Sequence, residues 1–324
     1  MSEGPLISVV VPAYNAARFL GQTLDSVLAQ TEQRWECLVV DDGSEDDTRG
    51  IATRYEELDP RIKLVAIERS GVSEARNAGF RRIADSAEFV TFMDSDDVWL
   101  PHSLESLLGP LQEDARFAGS HGLAEFIDAE GHAYAPGVWA EAGRNRLGLR
   151  GRRLVRWPLD MPTTFDVLVN GNVLFPPGLL LARRRIYELA GPFDSALEPA
   201  EDWDMLVRLS RHGDLAFIDD VILLYRRHDT NMGAQESTPA QAWRVRCIAF
   251  HSSENSAEQR RRARRGWRAY QVRMVGERLH AAAGALRERR LRDSLESFAR
   301  VLVHAWRYVR GYPLPRVSRE PLTW

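Results

Sequence analysis

The sequence predicts an α/β fold, a mostly parallel sheet with helices on both faces, and three observations carry that reading. Four short, β-branched apolar runs, Ile7 to Val11, Cys37 to Val40, Ile62 to Ile67 and Phe89 to Met93, have the length of strands. Between them apolar residues repeat at helical period, as Phe19, Leu20, Leu24, Val27 and Leu28 do ahead of the polar stretch Thr31 to Arg34. The connections are too long for hairpins, so the runs are expected to form right-handed βαβ units.

In such sheets ligands bind outside the carboxyl ends of the strands. The residues after each run are therefore the ones to inspect. They are Pro12-Ala13-Tyr14-Asn15, Asp41-Asp42-Gly43-Ser44, Glu68 to Asn77, and Asp94-Ser95-Asp96-Asp97. Residues 106–230 are less regular and predict mixed structure built onto the sheet. Beyond Asn231 the chain turns arginine-rich and helical. Phe298, Val301, Leu302, Ala305, Trp306 and Val309 fall on one helical face there.

With 324 residues, 44% hydrophobic and 27% charged, the chain can bury a substantial core, and disorder is excluded for its bulk. The net charge of -3 conceals an asymmetry, because residues 241–324 hold 19 arginines against seven acidic residues. Cys37 and Cys247 are the only cysteines and lack zinc-like spacing, which excludes a disulfide framework and fits a reducing compartment. The opening residues do not resemble a secretory leader, and no stretch approaches the length of a membrane span. The expectation is a cytoplasmic protein, with the inner face of the membrane open as a location.

The first strand-to-helix turn lacks the glycines of a dinucleotide site or P-loop, and Lys63 is the only lysine. Serine-hydrolase and zinc-hydrolase motifs are absent too. What remains is an acidic rim of Asp41, Asp42, Asp94, Asp96 and Asp97. Two like charges about 4 Å apart cost about 4 kcal/mol at an effective dielectric of about 20. A cation should sit among them, and oxygen ligands on a loop suit Mg²⁺ or Mn²⁺ with a diphosphate completing the shell. The plain alternative is a turn that caps a helix beginning near Pro101.

The order of motifs goes further. Val9-Val10-Val11-Pro12-Ala13-Tyr14-Asn15, Asp41-Asp42-Gly43-Ser44-x-Asp46-x-Thr48, Ala75-Arg76-Asn77-Ala78-Gly79, Asp94-Ser95-Asp96-Asp97, and Gly191-Pro192-Phe193-Asp194 followed by Glu201-Asp202-Trp203-Asp204 resemble the family 2 glycosyltransferases of the GT-A fold. The resemblance covers about 230 residues. It implies a GT-A domain over 1–230, with a nucleotide-sugar-binding half at 1–105 and an acceptor-binding half at 106–230. Residues 231–324 form an arginine-rich helical extension outside it.

Carried over residue by residue, Pro12, Tyr14 and Asp42 look like the pocket for base and ribose, and Arg76 like support for the nucleotide end. Asp94 and Asp96 resemble the family's D-x-D pair, with Asp96 on the metal that bridges the diphosphate and Asp94 facing the sugar or ribose. Asp202 looks like the general base for the acceptor hydroxyl, although it also suits the first turn of a helix over 202–210. His228 falls where relatives often place a basic residue over the diphosphate, and a neutral histidine could also ligate the metal. Trp203 is either an acceptor-side wall or core.

The resemblance thus implies a metal-dependent, inverting enzyme that moves a sugar from a nucleotide-sugar donor to a glycan or lipid-linked hydroxyl acceptor. A UDP-sugar is favoured, with GDP or TDP also open. The rivals are a sugar-phosphate nucleotidyltransferase and a non-enzymatic protein that binds anionic surfaces. For the basic tail, the favoured expectation is an apolar stripe packed on the catalytic domain or on a second subunit. Peripheral contact with an anionic membrane is the alternative, and nucleic acid is not expected.

Overall fold

The computed structural model describes residues 4–134, 137–229, 239–288 and 290–310. The first four runs are strands β1 (Leu6–Ala13), β2 (Trp35–Asp42), β3 (Ile62–Ile67) and β4 (Ala87–Phe92), separated by α1 (Leu20–Leu28), α2 (Thr48–Leu58) and α3 (Val72–Phe80). β1 lies between β2 and β4, β3 lies beyond β2, and all three pairings are parallel. Every residue of β2 and all but the first of β1 are buried. That burial on both faces is why these segments read as unbroken apolar runs.

The second half extends this sheet with β5 (Val98–Trp99), α4 (Ser103–Glu113), β6 (Gly119–Ile127), α5 (Val138–Arg144), the hairpin β7 (Leu147–Arg150) and β8 (Arg153–Arg156), and α6 (Phe165–Leu168). It continues through β9 (Leu180–Arg183), α7 (Arg184–Ala190), α8 (Glu201–Leu209) and β10 (Leu215–Arg226). The eight-stranded sheet runs β3-β2-β1-β4-β9-β6-β10-β5. β9 is antiparallel to both neighbours, and β5 is antiparallel to β10. The sheet is therefore mostly parallel, as expected. The Asp94–Asp97 stretch leads into β5 and not directly into a helix, so capping of the following helix does not account for it.

α3 sits directly on β1 and β2 because Gly79 has no side chain. A Cβ there would collide with the side chains of Val10 and Val40. The same helix carries Arg76 and Asn77, so this close approach sets the depth at which both enter the site.

Among the described residues three helices follow the sheet: α9 (Pro239–His251), α10 (Ala257–Arg287) and α11 (Leu291–Arg310). α10 starts at a capping box, Ser256 and Gln259 each accepting a hydrogen bond from the other's backbone N–H. It packs on α6 and on the β7–β8 hairpin. Trp243 of α9 and Trp267 of α10 meet at 5.1 Å between ring centroids.

The tail's apolar stripe does not pack on the catalytic domain, the first of the two expected partners. Phe298, Leu302, Ala305, Trp306 and Val309 are exposed, Leu302 to 72% and Val309 to 79%, and only Val301 of the six turns partly inward. α11 instead leans on α10 with a neighbouring face, where His304 bonds the buried Gln271 at 2.7 Å and Arg307 lies 4.2 Å from the Trp243 ring. Among the described residues no helix is long and apolar enough to cross a membrane.

Gly79→Ala should destabilise the fold by about 1–3 kcal/mol, the usual cost of an extra carbon in a packed interior. Urea unfolding followed by circular dichroism measures it; an unchanged midpoint would contradict the close α3–sheet contact.

Candidate active site

A cavity of about 800 Å³ opens at the carboxyl ends of the strands, and eight of the residues singled out from the sequence line it, Pro12, Tyr14, Asp42, Arg76, Asp94, Asp96, Asp202 and His228, while Asp41, Asp97 and Trp203 do not. The sheet brings them together from positions as far apart as residues 12 and 228.

The rim loops after β1 and β2 are stitched to each other. Ser44 Oγ accepts from Asn15 N at 3.0 Å, Thr48 Oγ1 from Ala16 N at 2.7 Å, and Asp46 Oδ2 from Ala17 N at 3.0 Å. Asn15 itself has a φ of 48°, a left-handed turn that asparagine tolerates. The Asp-Gly-Ser-x-Asp-x-Thr spacing is thus largely a clamp on the first loop. Asp41 is buried as well, bonded to Ser44 N and to Arg49, and takes no part in the cavity wall.

Asp42 is buried, and its carboxylate accepts from the backbone N–H groups of Ser70 and Gly71 at 2.7 and 3.0 Å. It also pairs with Arg69. That guanidinium lies 3.6 Å from the centroid of the Tyr14 ring, which is 40% exposed at the mouth of the cavity. Arg69 was not singled out from the sequence. Its only signal is its place in the segment that follows the third run.

Arg76 is fully enclosed. It donates to Asp94 Oδ1 at 2.8 Å and to Glu201 Oε1 at 2.7 Å. Burial opposes its charge, but the two carboxylates outweigh that and hold the guanidinium ionised. Burial, followed by the charge of Asp96, raises the Asp94 carboxyl despite Arg76. The next residue, Asn77, exchanges two hydrogen bonds with the backbone of Phe193, at 3.1 and 2.8 Å. α3 thereby grips the segment that leads into α8. Glu201, the second partner of Arg76, was also missed by sequence reasoning, although it directly precedes Asp202.

Asp96 faces His228 at 2.9 Å between Oδ2 and Nε2. Pairing of β5 with the end of β10 fixes that meeting, and Arg226 Nε reinforces it by donating to Asp96 O at 2.8 Å. The His228 ring rests on Phe19, 4.7 Å between centroids. Asp97 turns inward from the rim, its Oδ1 accepting from Arg226 N at 3.0 Å. Burial, then Asp96 and Asp94, pushes its pKa well above the carboxylate range. The acidic rim facing the cavity therefore consists of Asp42, Asp94 and Asp96, joined by the Glu201–Asp202 pair and Asp229.

Asp202 opens α8. Trp203 N donates to its Oδ1 at 2.6 Å, and Asn172 Nδ2 approaches Oδ2 at 3.4 Å. Burial first and Glu201 second push its pKa up to about 7. A carboxylate so tuned can accept a proton near neutral pH. Trp203 points the other way, buried with its indole N–H on Leu168 O at 2.7 Å, and belongs to the core.

Among the described residues no three histidine, cysteine or carboxylate side chains converge as a metal cluster. The Asp96–His228 pair still fits a divalent ion of the Mg²⁺ or Mn²⁺ type, which binds through few protein ligands and takes the rest from phosphate and water.

The model of glycosyl transferase family 2 matches residues 8–187, more than half of the chain. The chain belongs to glycosyltransferase family 2. An uncharacterized glycosyltransferase of Nostoc is 32% identical over 241 residues, 72% of this chain and 69% of that protein. The UDP-Glc:α-D-GlcNAc-diphosphoundecaprenol β-1,3-glucosyltransferase of Escherichia coli is 41% identical over 101 residues, 31% of this chain and 38% of the enzyme. Across the first four curated relatives the match spans 43% to 69% of their own lengths.

Solved structures confirm the GT-A fold for this family member. Staphylococcus aureus TarS 1-349 in complex with UDP-GlcNAc superposes with a TM-score of 0.57 at 16% identity, over 94% of this chain and 92% of that one. A mannosyltransferase of Pyrobaculum calidifontis in complex with GDP-Man and Mn²⁺ gives 0.54 at 17% identity, over 95% and 88%.

Two outcomes follow from the buried charges. Arg76→Met should destabilise the protein by about 3–5 kcal/mol in urea unfolding, because it leaves Asp94 and Glu201 without their cation; a loss within error of zero would contradict the bridge. Asp202 holds its proton in the folded chain up to about pH 7 but, from its ordinary value of 3.8, loses it earlier when unfolded. The folded state therefore binds more protons across that window, and Asp202 lowers stability as pH rises through it. Asp202→Asn should accordingly gain melting temperature over the parent at pH 8 and show no such gain at pH 3.5.

Proposed function

We propose that this family 2 glycosyltransferase moves a sugar from a nucleoside-diphosphate sugar to a hydroxyl acceptor with inversion, assisted by a divalent cation. The observation that carries the reading is that Asp202, tuned to about 7, and the Asp96–His228 pair line the same cavity. At about 800 Å³ that cavity lies within the usual range for small-molecule sites. A proton acceptor for the incoming hydroxyl and a site that stabilises the departing diphosphate together serve a single displacement at an anomeric carbon.

Tyr14, with Pro12 beside it, offers a face for the base, and Asp42 with Arg69 borders the ribose end. Asp96 and His228 would hold the cation, and Asp94, oriented by Arg76, faces the sugar or ribose. The ion, when bound, neutralises charge on the departing diphosphate. Asp202 takes the proton of the acceptor hydroxyl as its oxygen attacks the anomeric carbon from the side opposite the leaving group. Phe175, Pro177 and Tyr225 supply apolar wall to the same cavity.

UDP is the favoured nucleotide, with GDP and TDP as alternatives. A lipid-linked or surface glycan is the favoured acceptor, supported by the diphosphoundecaprenol substrate named for the E. coli relative. Such an acceptor would place the enzyme in the cytoplasm at the inner face of the membrane. Family membership sets aside the nucleotidyltransferase alternative.

A thermal-shift panel of UDP, GDP and TDP with and without Mn²⁺ tests the donor site, since a ligand at about 100 times its Kd adds about 2.7 kcal/mol. UDP should stabilise the protein more with Mn²⁺ than without, and Asp96→Ala should remove that increment. Equal shifts with and without the ion would overturn the metal assignment. In turnover assays Asp202→Ala should abolish nucleoside diphosphate release, and the parent's kcat/KM should rise with pH through a limb near 7. A flat profile between pH 5 and 8 would contradict the base.

A further inference from the structure

We propose that the α10–α11 hairpin is a docking surface for an anionic lipid bilayer. Leu291, Leu295, Phe298, Leu302 and Val309 follow one another at spacings of 4, 3, 4 and 7 along α11, so they share one face, and every one of them is exposed. Five large apolar side chains on one solvent-facing helix side exceed the scattered exposure that soluble surfaces normally carry. The face that α11 turns inward is a different one, with Val301 half-buried, His304 bonded to Gln271 of α10 and Arg307 over Trp243 of α9.

α10 repeats the pattern with charge at one end. Arg261, Arg265 and Arg268 lead along one face to Val272, Leu279 and Leu286, all of them exposed. Arg264 lies beside them, and among the described residues no carboxylate pairs with these four arginines. The adjoining β7–β8 hairpin adds exposed Arg150, Arg152 and Arg153.

Charge decides the occupant. α10 carries nine arginines against two glutamates, and α11 four arginines against two acidic residues. A second copy seated on this face would set two such fields against each other. An anionic bilayer complements them, its headgroups meeting the guanidinium groups while the apolar side chains enter the headgroup–acyl boundary. Nucleic acid would satisfy the arginines but leave the apolar face in water.

Sedimentation of the full chain with vesicles tests this. Binding is expected to vesicles of equal parts phosphatidylcholine and phosphatidylglycerol, and to be roughly tenfold or more weaker on pure phosphatidylcholine or in high salt. Leu295→Glu/Leu302→Glu should weaken it roughly tenfold or more. Arg261→Gln/Arg265→Gln/Arg268→Gln should erase the preference for the anionic lipid. Unchanged circular dichroism and unchanged UDP binding in these variants separate loss of docking from loss of fold or of the catalytic reading. Absence of vesicle binding would overturn the proposal. So would a parent dimer in sedimentation velocity that Leu295→Glu/Leu302→Glu converts to monomer, because a second copy would then cover the face.

Discussion

A guanidinium held in the interior between two carboxylates is the constraint on which the site depends. Arg76 joins Asp94, which follows β4 in the sheet's first half, to Glu201 at the start of α8 in its second. Isolated, any of the three charges would be expensive to bury; together they offset one another. The result is a fixed relation between the stretch that carries Asp96 and the helix that carries Asp202. The two sides of the cavity are thus held in register by one cation that contacts both.

Burial also explains why the carboxylates around this bridge differ. Asp202 and Asp94 are raised by desolvation and by neighbouring charge, while Asp42 is committed to a loop through two backbone N–H groups. Asp97 is turned away from the cavity altogether. One kind of side chain is thereby found in three environments: raised toward neutrality at Asp202, committed to a loop at Asp42, and turned into the interior at Asp97.

The strands were legible because the first sheet half is buried on both faces, which leaves a continuous β-branched signature at β1, β2 and β4. Spacing could also show that the residues after those strands gather on one rim. What it could not show was direction: Asp41 and Asp97 belong to the same motifs as Asp42 and Asp96 yet point into the structure. Arg69 and Glu201 carry no periodicity, and only the closed chain puts them beside Tyr14 and Arg76. Which part of the chain the tail's stripe would meet was illegible for a related reason. Helical period reveals that α11 has an apolar face but not what covers it, and α11 meets α10 through a side that includes His304. Trp203 shows the reverse, since an aromatic next to a site motif proved to be core through its bond to Leu168.

The most direct test of the account is a crystal structure of the full chain with UDP and Mn²⁺. The account predicts the ion on Asp96 and His228, the uracil beside Tyr14, and Arg76 still bridging Asp94 and Glu201. A nucleotide bound outside this cavity, or Arg76 released from Glu201 to hold a phosphate, would contradict it.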